Sequence, residues 1–227
     1  MIEFLNQICP NVVVYYPELL KALYETLYMV LISGFFATII GLPIGVTLVV
    51  TRPKHLLENY WMHQIIGKTM NIFRSIPFVI LLTAIMPFTK FVVGTTIGLK
   101  GAIVPLVVGT VPFVARQVES ALINVDPGMI EAAKAMGSSP SEIIYRVLLR
   151  EGLSGIIYAL TITVVSLIGF SAIAGTVGGG GLGDFAIRYG YQYFKGDIMF
   201  VAVVILLTIV SVVQSLGERL RRYVSHQ

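Results

Sequence analysis

Charged residues and cysteine are both scarce in this sequence. Only 12% of the 227 residues are charged and 56% are hydrophobic, whereas soluble domains carry about 25% charged residues. Because so few charges cannot cover a surface that faces water, the composition excludes an ordinary soluble domain and predicts an integral membrane protein. Cys9 is the only cysteine, which excludes an intramolecular disulfide and a cysteine-based metal site. The first long apolar run is too long for a cleavable signal peptide.

Stretches without charge predict the fold. Residues 26–50, 152–183 and 198–217 form charge-free runs of 25, 32 and 20 residues, and each can cross about 30 Å of hydrocarbon as a helix. Two further runs, 75–89 and 101–115, contain 15 residues each. We therefore predict an all-α integral membrane fold in one domain, 1–227. The five expected transmembrane helices cover approximately 24–50, 70–90, 98–122, 152–177 and 197–218.

Arginines lie at the ends of the two shorter runs. The side chains of Arg74 and Arg116 can extend from these positions toward lipid headgroups. Glu119 follows Arg116 by three residues, so the two can pair on one helix face.

Basic residues predict the orientation in the membrane. Five spans put the two termini on opposite sides. If the C-terminus is cytoplasmic, eleven Lys and Arg residues lie on the cytoplasmic side and five on the other side, as the positive-inside tendency requires. We therefore expect the N-terminus outside and the C-terminus in the cytoplasm. The net charge of +4 is read as this orientation signal, and it does not indicate a nucleic-acid surface.

Residues 124–152, between the expected third and fourth spans, carry strong local signals. Asp126 before Pro127 is typical of a helix start, with a side-chain acceptor followed by proline. Gly137 suits the left-handed residue that ends such a helix. Ser139 and Glu142 have the spacing of a capping box, which starts a second helix. The pattern predicts two short cytoplasmic helices joined at a glycine, and an ordinary helical loop is the simplest interpretation.

A resemblance gives this segment a function. Glu131, Ala132, Ala133 and Gly137, followed by Val147 and Leu149, resemble the conserved loop of bacterial ABC importer permeases. In that family the loop is the coupling helix, which docks into a cleft of the cytoplasmic ATPase subunit. The resemblance implies that ATPase coupling depends on a set of residues within 124–150, namely Asp126, Glu131, Ala132, Ala133, Gly137, Ser139 and Glu142. Arg150 stands where the family pattern has proline, which leaves the helix geometry after Leu149 open.

Four further segments, 33–46, 51–54, 71–78 and 178–193, are similar to the methionine-importer permeases of bacteria. This similarity implies a multi-pass protein of the bacterial inner membrane that carries D- or L-methionine. It also implies a second copy of the chain, two cytoplasmic ATP-binding subunits, an external substrate-binding protein and surrounding lipid as partners. ATP would be used by the partner subunit, and no cofactor, metal or catalytic residue is expected in this chain.

The fourth charge-free run is the longest, and its centre suggests a pathway. It combines hydroxylated, small and bulky apolar residues, and we take Ser166, Phe170 and Ile173 as candidate pathway or gate residues. Close helix packing explains the small residues equally well. A zwitterionic amino acid would find no full charge in this run, so specificity is expected to come chiefly from the external binding protein.

Other functions fit less well. Gly178, Gly180 and Gly183 satisfy a dinucleotide-binding pattern, but a membrane helix and not a strand precedes them. A secondary carrier would place ionisable groups at membrane depth, and the span centres contain no acidic residue or histidine. An intramembrane enzyme would need a base or metal ligand near its hydroxyls. A permease for another small solute and a structural scaffold remain open.

Histidines and aromatic residues have simple interpretations. His55, His63 and His226 form no ligand-spaced cluster and are expected to be solvated. Tyr60 and Trp61 suggest an anchor in the membrane interface. The tyrosines at 189, 191 and 193, with Phe194, form an outer cluster that either anchors in the interface or contacts the binding protein.

Overall fold

The computed structural model describes residues 10–225, and the regular structure in this range is helical throughout. Wider, π-helical turns occupy Ile143–Leu148 and Ala186–Gln192. The segment Gly175–Gly179 is kinked, because Val177 (φ −110°, ψ 23°) and Gly178 (φ +87°, ψ 19°) have non-helical conformations. The α-helices, in chain order, are α1 Pro10–Val14, α2 Tyr16–Val50, α3 Tyr60–Ser75, α4 Phe78–Ala84, α5 Met86–Val93, α6 Gly98–Ile123, α7 Pro127–Ala135, α8 Pro140–Glu142, α9 Leu149–Glu151, α10 Leu153–Ala174, α11 Gly181–Phe185 and α12 Gly196–Ser225.

Four helical segments are long and apolar enough to cross a membrane: α2, α6, α10 with its continuation to Gly179, and α12. A fifth span exists if α3 and α4 are counted together, although the two are bent by 100°. The predicted all-α membrane fold with about five spans is confirmed. The N-out orientation stays a prediction.

The bent pair differs from the single helix expected at 70–90. Helix α3 begins at Tyr60, ten residues before the expected start at 70. Asn59 caps it, because its side chain accepts the Met62 N–H at 3.0 Å. The helix stops before Pro77, where Ile76 takes an extended conformation with φ −79° and ψ 122°. Proline crowds the residue before it out of the helical region and has no N–H for the helix ladder. The break between α3 and α4 follows directly from this dipeptide.

The described chain divides into two compact units. The first contains residues 10–35, 77–109 and 164–213. Its core includes Met29, Leu106 and Leu167, which are fully buried. Phe78 of α4 stacks on Phe170 of α10 in this core, with ring centroids 4.9 Å apart and planes inclined by 19°.

The second unit contains residues 36–76, 110–163 and, within the described range, 214–225. Here α2 lies directly against α6. A Cβ placed on Gly41 or Gly45 would lie 2.7 Å from α6 atoms at Val114, Ala115 or Val118. These glycines, which in sequence are potential helix breakers, therefore allow close helix contact within a continuous α2.

Candidate coupling site

Helix α7 begins as the sequence predicts. Asp126 is the N-cap, and its Oδ1 accepts the Gly128 N–H at 2.8 Å. Pro127 occupies the first helical position, where its missing N–H has no cost. The start of this helix is therefore fixed by local chemistry.

The end of α7 is equally well defined. Gly137 adopts φ +80°, the left-handed conformation predicted for it. Its N–H donates to the Lys134 carbonyl at 3.0 Å, and the Ser138 N–H donates to the Ala133 carbonyl at 3.1 Å. These two bonds are the pair that closes a helix with a left-handed residue after its cap. The helix has nine residues and a fixed length.

The second helix starts with the predicted capping box. The Ser139 N–H donates to Glu142 Oε2 at 2.9 Å, and the Glu142 N–H donates to Ser139 Oγ at 3.4 Å. The hydrogen bond from the Ser139 backbone lowers the pKa of Glu142 below its usual range, and the Ser139 hydroxyl contributes in the same direction. Arg150 lies within α9, so the chain remains helical where the family pattern has proline.

Burial divides the coupling residues into two groups. Ile130 and Ala133 of α7 are buried, 8% and 3% exposed, and pack in one core cluster with Ile143 and Leu148. Glu131 and Ala132 are exposed, as is Met136 with 79% of its surface accessible. Ala133 therefore holds α7 to the protein, while Glu131 and Ala132 are available to a partner. Asp126, Ser139 and Glu142 fix the helix ends.

A basic environment lies beside this segment. Burial lowers the pKa of His55 below its usual value, and the positive charges of Arg52 and Lys134 lower it further. His55 and Arg52 belong to the turn after α2, and Lys134 to α7.

The expectation of solvated histidines is wrong for His63, because its Nδ1 lies 3.0 Å from the Leu48 carbonyl oxygen. His226 is outside the described residues.

Arg116 joins α6 to α3 within the second unit. Its Nη2 donates to the Gly67 carbonyl oxygen at 2.6 Å, and its Nη1 donates to Glu119 Oε2 at 2.6 Å. The predicted pairing with Glu119 is confirmed. The expectation that Arg116 extends toward headgroups is wrong, because its guanidinium is held between these two partners.

The candidate gate residues lie on one face of α10, in the first unit. Ser166, Phe170 and Ile173 follow the i, i+4, i+7 spacing and are all partly buried. Phe170 stacks on Phe78, and Ile173 packs against the core cluster around Met29 and Leu167. A gate role for this face stays a prediction.

The glycine-rich turn after α10 has partners that sequence reasoning missed. Gly180 and Gly181 both adopt φ +81°. The Gly181 N–H donates to Glu25 Oε2 and the Leu182 N–H donates to Thr26 Oγ1, each at 2.8 Å. These α2 side chains thus bind the start of α11 in the first unit. In the sequence, Thr26 opens the first charge-free run and Glu25 directly precedes it, which does not indicate these partners.

Tyr15 packs on the aromatic cluster of 189–194 through Tyr189, with ring centroids 4.7 Å apart. Lys195 Nζ donates to the Tyr15 hydroxyl at 3.0 Å and lies 4.1 Å from the centre of that ring. Phe194 is 92% exposed with φ +54°.

Within residues 10–225, no group of three or more His, Cys, Asp or Glu residues has a metal-binding arrangement.

Comparison with known proteins identifies close relatives. Residues 41–226 match the family described as "binding-protein-dependent transport system inner membrane component". The chain is 51% identical over 209 residues to the probable D-methionine transport system permease protein MetI of Vibrio cholerae, which covers 92% of this chain and 93% of that protein. It is also 51% identical over 157 residues to the D-methionine transport system permease protein MetI of Escherichia coli, covering 69% and 72%.

Solved structures show the same arrangement. An inward-facing structure of the MetNI methionine ABC transporter contains a chain that superposes with a TM-score of 0.91 at 47% identity, covering 92% of this chain and 97% of that chain. A structure of an amino acid ABC transporter with histidines superposes with a TM-score of 0.78 at 19% identity, covering 94% and 97%. At that identity the likeness concerns the fold alone.

Proposed function

This chain belongs to the family of inner-membrane components of binding-protein-dependent transport systems, and from that premise we propose that it is the methionine permease subunit of an ATP-driven importer. It is a multi-pass protein of the bacterial inner membrane. The relatives whose names specify D-methionine transport match most of its length, which supports methionine as the substrate.

The observation that carries the ATP-driven mechanism is the shape of the coupling segment. Helix α7 is closed at both ends by its own caps and anchored through Ile130 and Ala133. It leaves Ala132 and the apolar side chain of Met136 exposed. A short rigid helix with small exposed residues can enter a cleft of another protein and transmit its movement. We infer that this face docks on a separate ATPase subunit, which hydrolyses the ATP.

The assembly follows from the same premise. The superposed MetNI structure is that of a methionine ABC transporter, which supports a second copy of this chain and two ATPase subunits as partners. The family description names dependence on a binding protein, so an external binding protein delivers the substrate. The aromatic cluster of 189–194, with Tyr191 and Phe194 exposed, is a candidate contact for it if the predicted orientation holds.

Reconstitution tests this proposal. The chain, the ATPase subunit and the binding protein are placed in liposomes, and uptake of labelled D- and L-methionine is followed with and without ATP. We expect uptake that requires ATP and all three components, and that unlabelled methionine suppresses more strongly than other amino acids do. Uptake without the ATPase subunit would contradict an ATP-driven importer, and preference for another amino acid would contradict the substrate.

A further inference from the structure

A polar cleft of about 320 Å³ lies where the second unit's coupling segment leaves α6 and returns to α10. The chain at the end of α6 and the chain at the start of α10 each present polar residues at the spacing i, i+3, i+7, which is the spacing of one helix face. These six residues are Gln117, Ser120 and Asn124, the last directly after α6, and Glu151, Ser154 and Tyr158, the first of which is the last residue of α9.

Most of these polar groups have no partner in the described chain. Asn124 donates to the Ser120 carbonyl oxygen at 2.8 Å, but the side chains of Gln117, Glu151 and Ser154 make no hydrogen bond among residues 10–225. Polar groups in a membrane protein are costly unless water or a ligand binds them. Two facing stripes of unpaired polar groups therefore indicate a wet site or a ligand site.

Small residues keep the floor of the cleft open and apolar. The floor is formed by Ala121, Val125, Gly155 and Ala159. A Cβ on Gly155 would lie 3.1 Å from the Ala121 Cβ, so the two helices are already in close contact below the polar stripes. One end is bounded by the Tyr158 ring, which Arg221 covers at 5.5 Å from its centre. Arg221 is itself held by Glu218 through two hydrogen bonds of 3.0 Å.

We propose that this cleft is a release site for a zwitterionic amino acid with an apolar side chain, which it holds as the substrate leaves the permease. This inference rests on the proposed function, because the substrate identity comes from there. Glu151 supplies the single charge of the cleft and binds the ammonium group. The amide of Gln117 and the hydroxyl of Ser154 donate to the carboxylate. The apolar floor and the Tyr158 ring contact the thioether of methionine, since sulfur packs favourably against aromatic rings.

The site is expected to be weak. Glu151, Ser120 and Asn124 are exposed, and an exposed carboxylate gains little from an ion pair because water screens it. A weak site suits release, since a transported ligand must bind well enough to enter and loosely enough to leave. Half-occupancy near ~1 mM methionine corresponds to a binding free energy that a few such contacts can supply.

Protection from thiol labelling tests the site in the complete transporter. Ser120→Cys, which replaces an exposed lining residue that does not contact the ligand in this proposal, is introduced in a Cys9→Ser background, and its labelling rate is measured with increasing L-methionine. We expect methionine to slow labelling, and N-acetylmethionine, which lacks the ammonium group, to leave the rate unchanged. Glu151→Gln should raise the concentration for half-protection about two- to fivefold, the effect of losing an exposed ion pair. Glu58→Gln, an exposed acid outside the cleft, is the matched control and should leave protection intact.

Other occupants give different results. If the ATPase subunit fills the cleft, its assembly alone protects Ser120→Cys and methionine adds nothing. If a second permease copy fills the cleft, the permease without ATPase is already protected. Either result, or equal protection by N-acetylmethionine, overturns the release site. Uptake by the unsubstituted complex separates the two proposals. Normal methionine uptake without protection removes only the release site, whereas absent ATP-driven methionine uptake removes the proposed function and the ligand assignment with it.

Discussion

The guanidinium of Arg116 donates to the carbonyl oxygen of Gly67 at 2.6 Å, across 49 positions of sequence. A Cβ on Gly67 would lie 3.3 Å from the same guanidinium nitrogen, so glycine leaves the room that the bond uses. The second terminal nitrogen of Arg116, Nη1, donates to Glu119, a residue whose surface is 8% exposed. Arg116, paired with Glu119 within α6, thus joins this helix to α3 through the Gly67 carbonyl oxygen, and α6 leads into the coupling segment.

Arg116→Leu should destabilise the protein strongly, because it leaves the Glu119 carboxylate buried without a partner. Breaking a buried pair on one side costs about 3–5 kcal/mol, whereas replacing both partners with apolar residues is often close to neutral. Thermal unfolding of the purified protein in detergent measures the difference. Arg116→Leu combined with Glu119→Leu should recover most of the loss. A double variant as unstable as the single one would show that the pair does more than neutralise Glu119.

Local signals predicted the coupling segment well. Asp126 before Pro127, Gly137, and Ser139 with Glu142 each specify a cap within a few residues, and each cap is present. Partners distant in sequence were not predictable, since nothing near Arg116 points to Gly67. The same holds for Thr26 and Leu182, which are 156 positions apart.

The polar cleft was readable in the sequence but was missed. Its residues are spaced i, i+3, i+7 in two separate stretches of the chain, a pattern that becomes visible only when the two stretches are compared. The break at Ile76 and Pro77 was also signalled locally. The uncharged run from 75 to 89 led instead to the expectation of one helix at 70–90. Apolar composition predicts burial in lipid, but it does not predict whether a helix is continuous.

Labelling from the two sides of the membrane decides between four and five spans. With α3 and α4 as one bent span, the chain crosses five times and its ends lie on opposite sides. Glu18→Cys and Ser225→Cys, both at exposed positions, should then label from opposite faces in a Cys9→Ser background. Labelling from the same face would mean that the α3–α4 pair does not cross and would contradict the N-out, C-in orientation.

Gly137→Val should reduce coupling by straining the turn after α7. Gly137 has φ +80°, and no atom lies within 4 Å of the position that a Cβ would occupy, so the effect arises from the backbone and not from a clash. A β-branched residue in this region costs about 1–3 kcal/mol. We expect lower substrate-stimulated ATP hydrolysis and transport, with normal amounts of protein in the membrane.

Gly137→Asn is the matched control for that substitution, because asparagine tolerates the left-handed conformation far better than valine. It should keep most of the transport activity. If the valine variant hydrolyses ATP normally in the reconstituted complex, or if both variants fail equally, the turn at Gly137 does not carry coupling in the way proposed.

Thr26→Val should loosen the glycine-rich turn by removing the acceptor for the buried Leu182 N–H. Valine keeps the shape of threonine, so the change isolates the 2.8 Å hydrogen bond. An unsatisfied buried donor costs about 1–3 kcal/mol. Thermal unfolding should show this loss for Thr26→Val and recovery for Thr26→Ser, which retains the hydroxyl. Equal stability of the valine variant and the unsubstituted protein would argue that the bond is dispensable.

The gate prediction concerns Ile173, which is partly buried against the first unit's core. Ile173→Ala shortens the side chain on the face that also carries Ser166 and Phe170, so it should widen a narrow route. We expect leak of methionine without ATP hydrolysis, and an unchanged order of substrate preference, because the binding protein sets specificity. Flux into liposomes loaded with and without ATP measures the leak, and competition by other amino acids measures the preference.

Loss of packing must be separated from loss of a gate. Ile209 packs against the same core cluster from α12, so Ile209→Ala removes a similar partly buried side chain outside the proposed pathway. Both variants should lose comparable stability, in the range of about 2–5 kcal/mol at most, but only Ile173→Ala should leak. Leak in both would assign the effect to a weakened core. A changed substrate preference with tight coupling in Ile173→Ala would instead place a recognition site on α10, and the weakly selective gate would be abandoned.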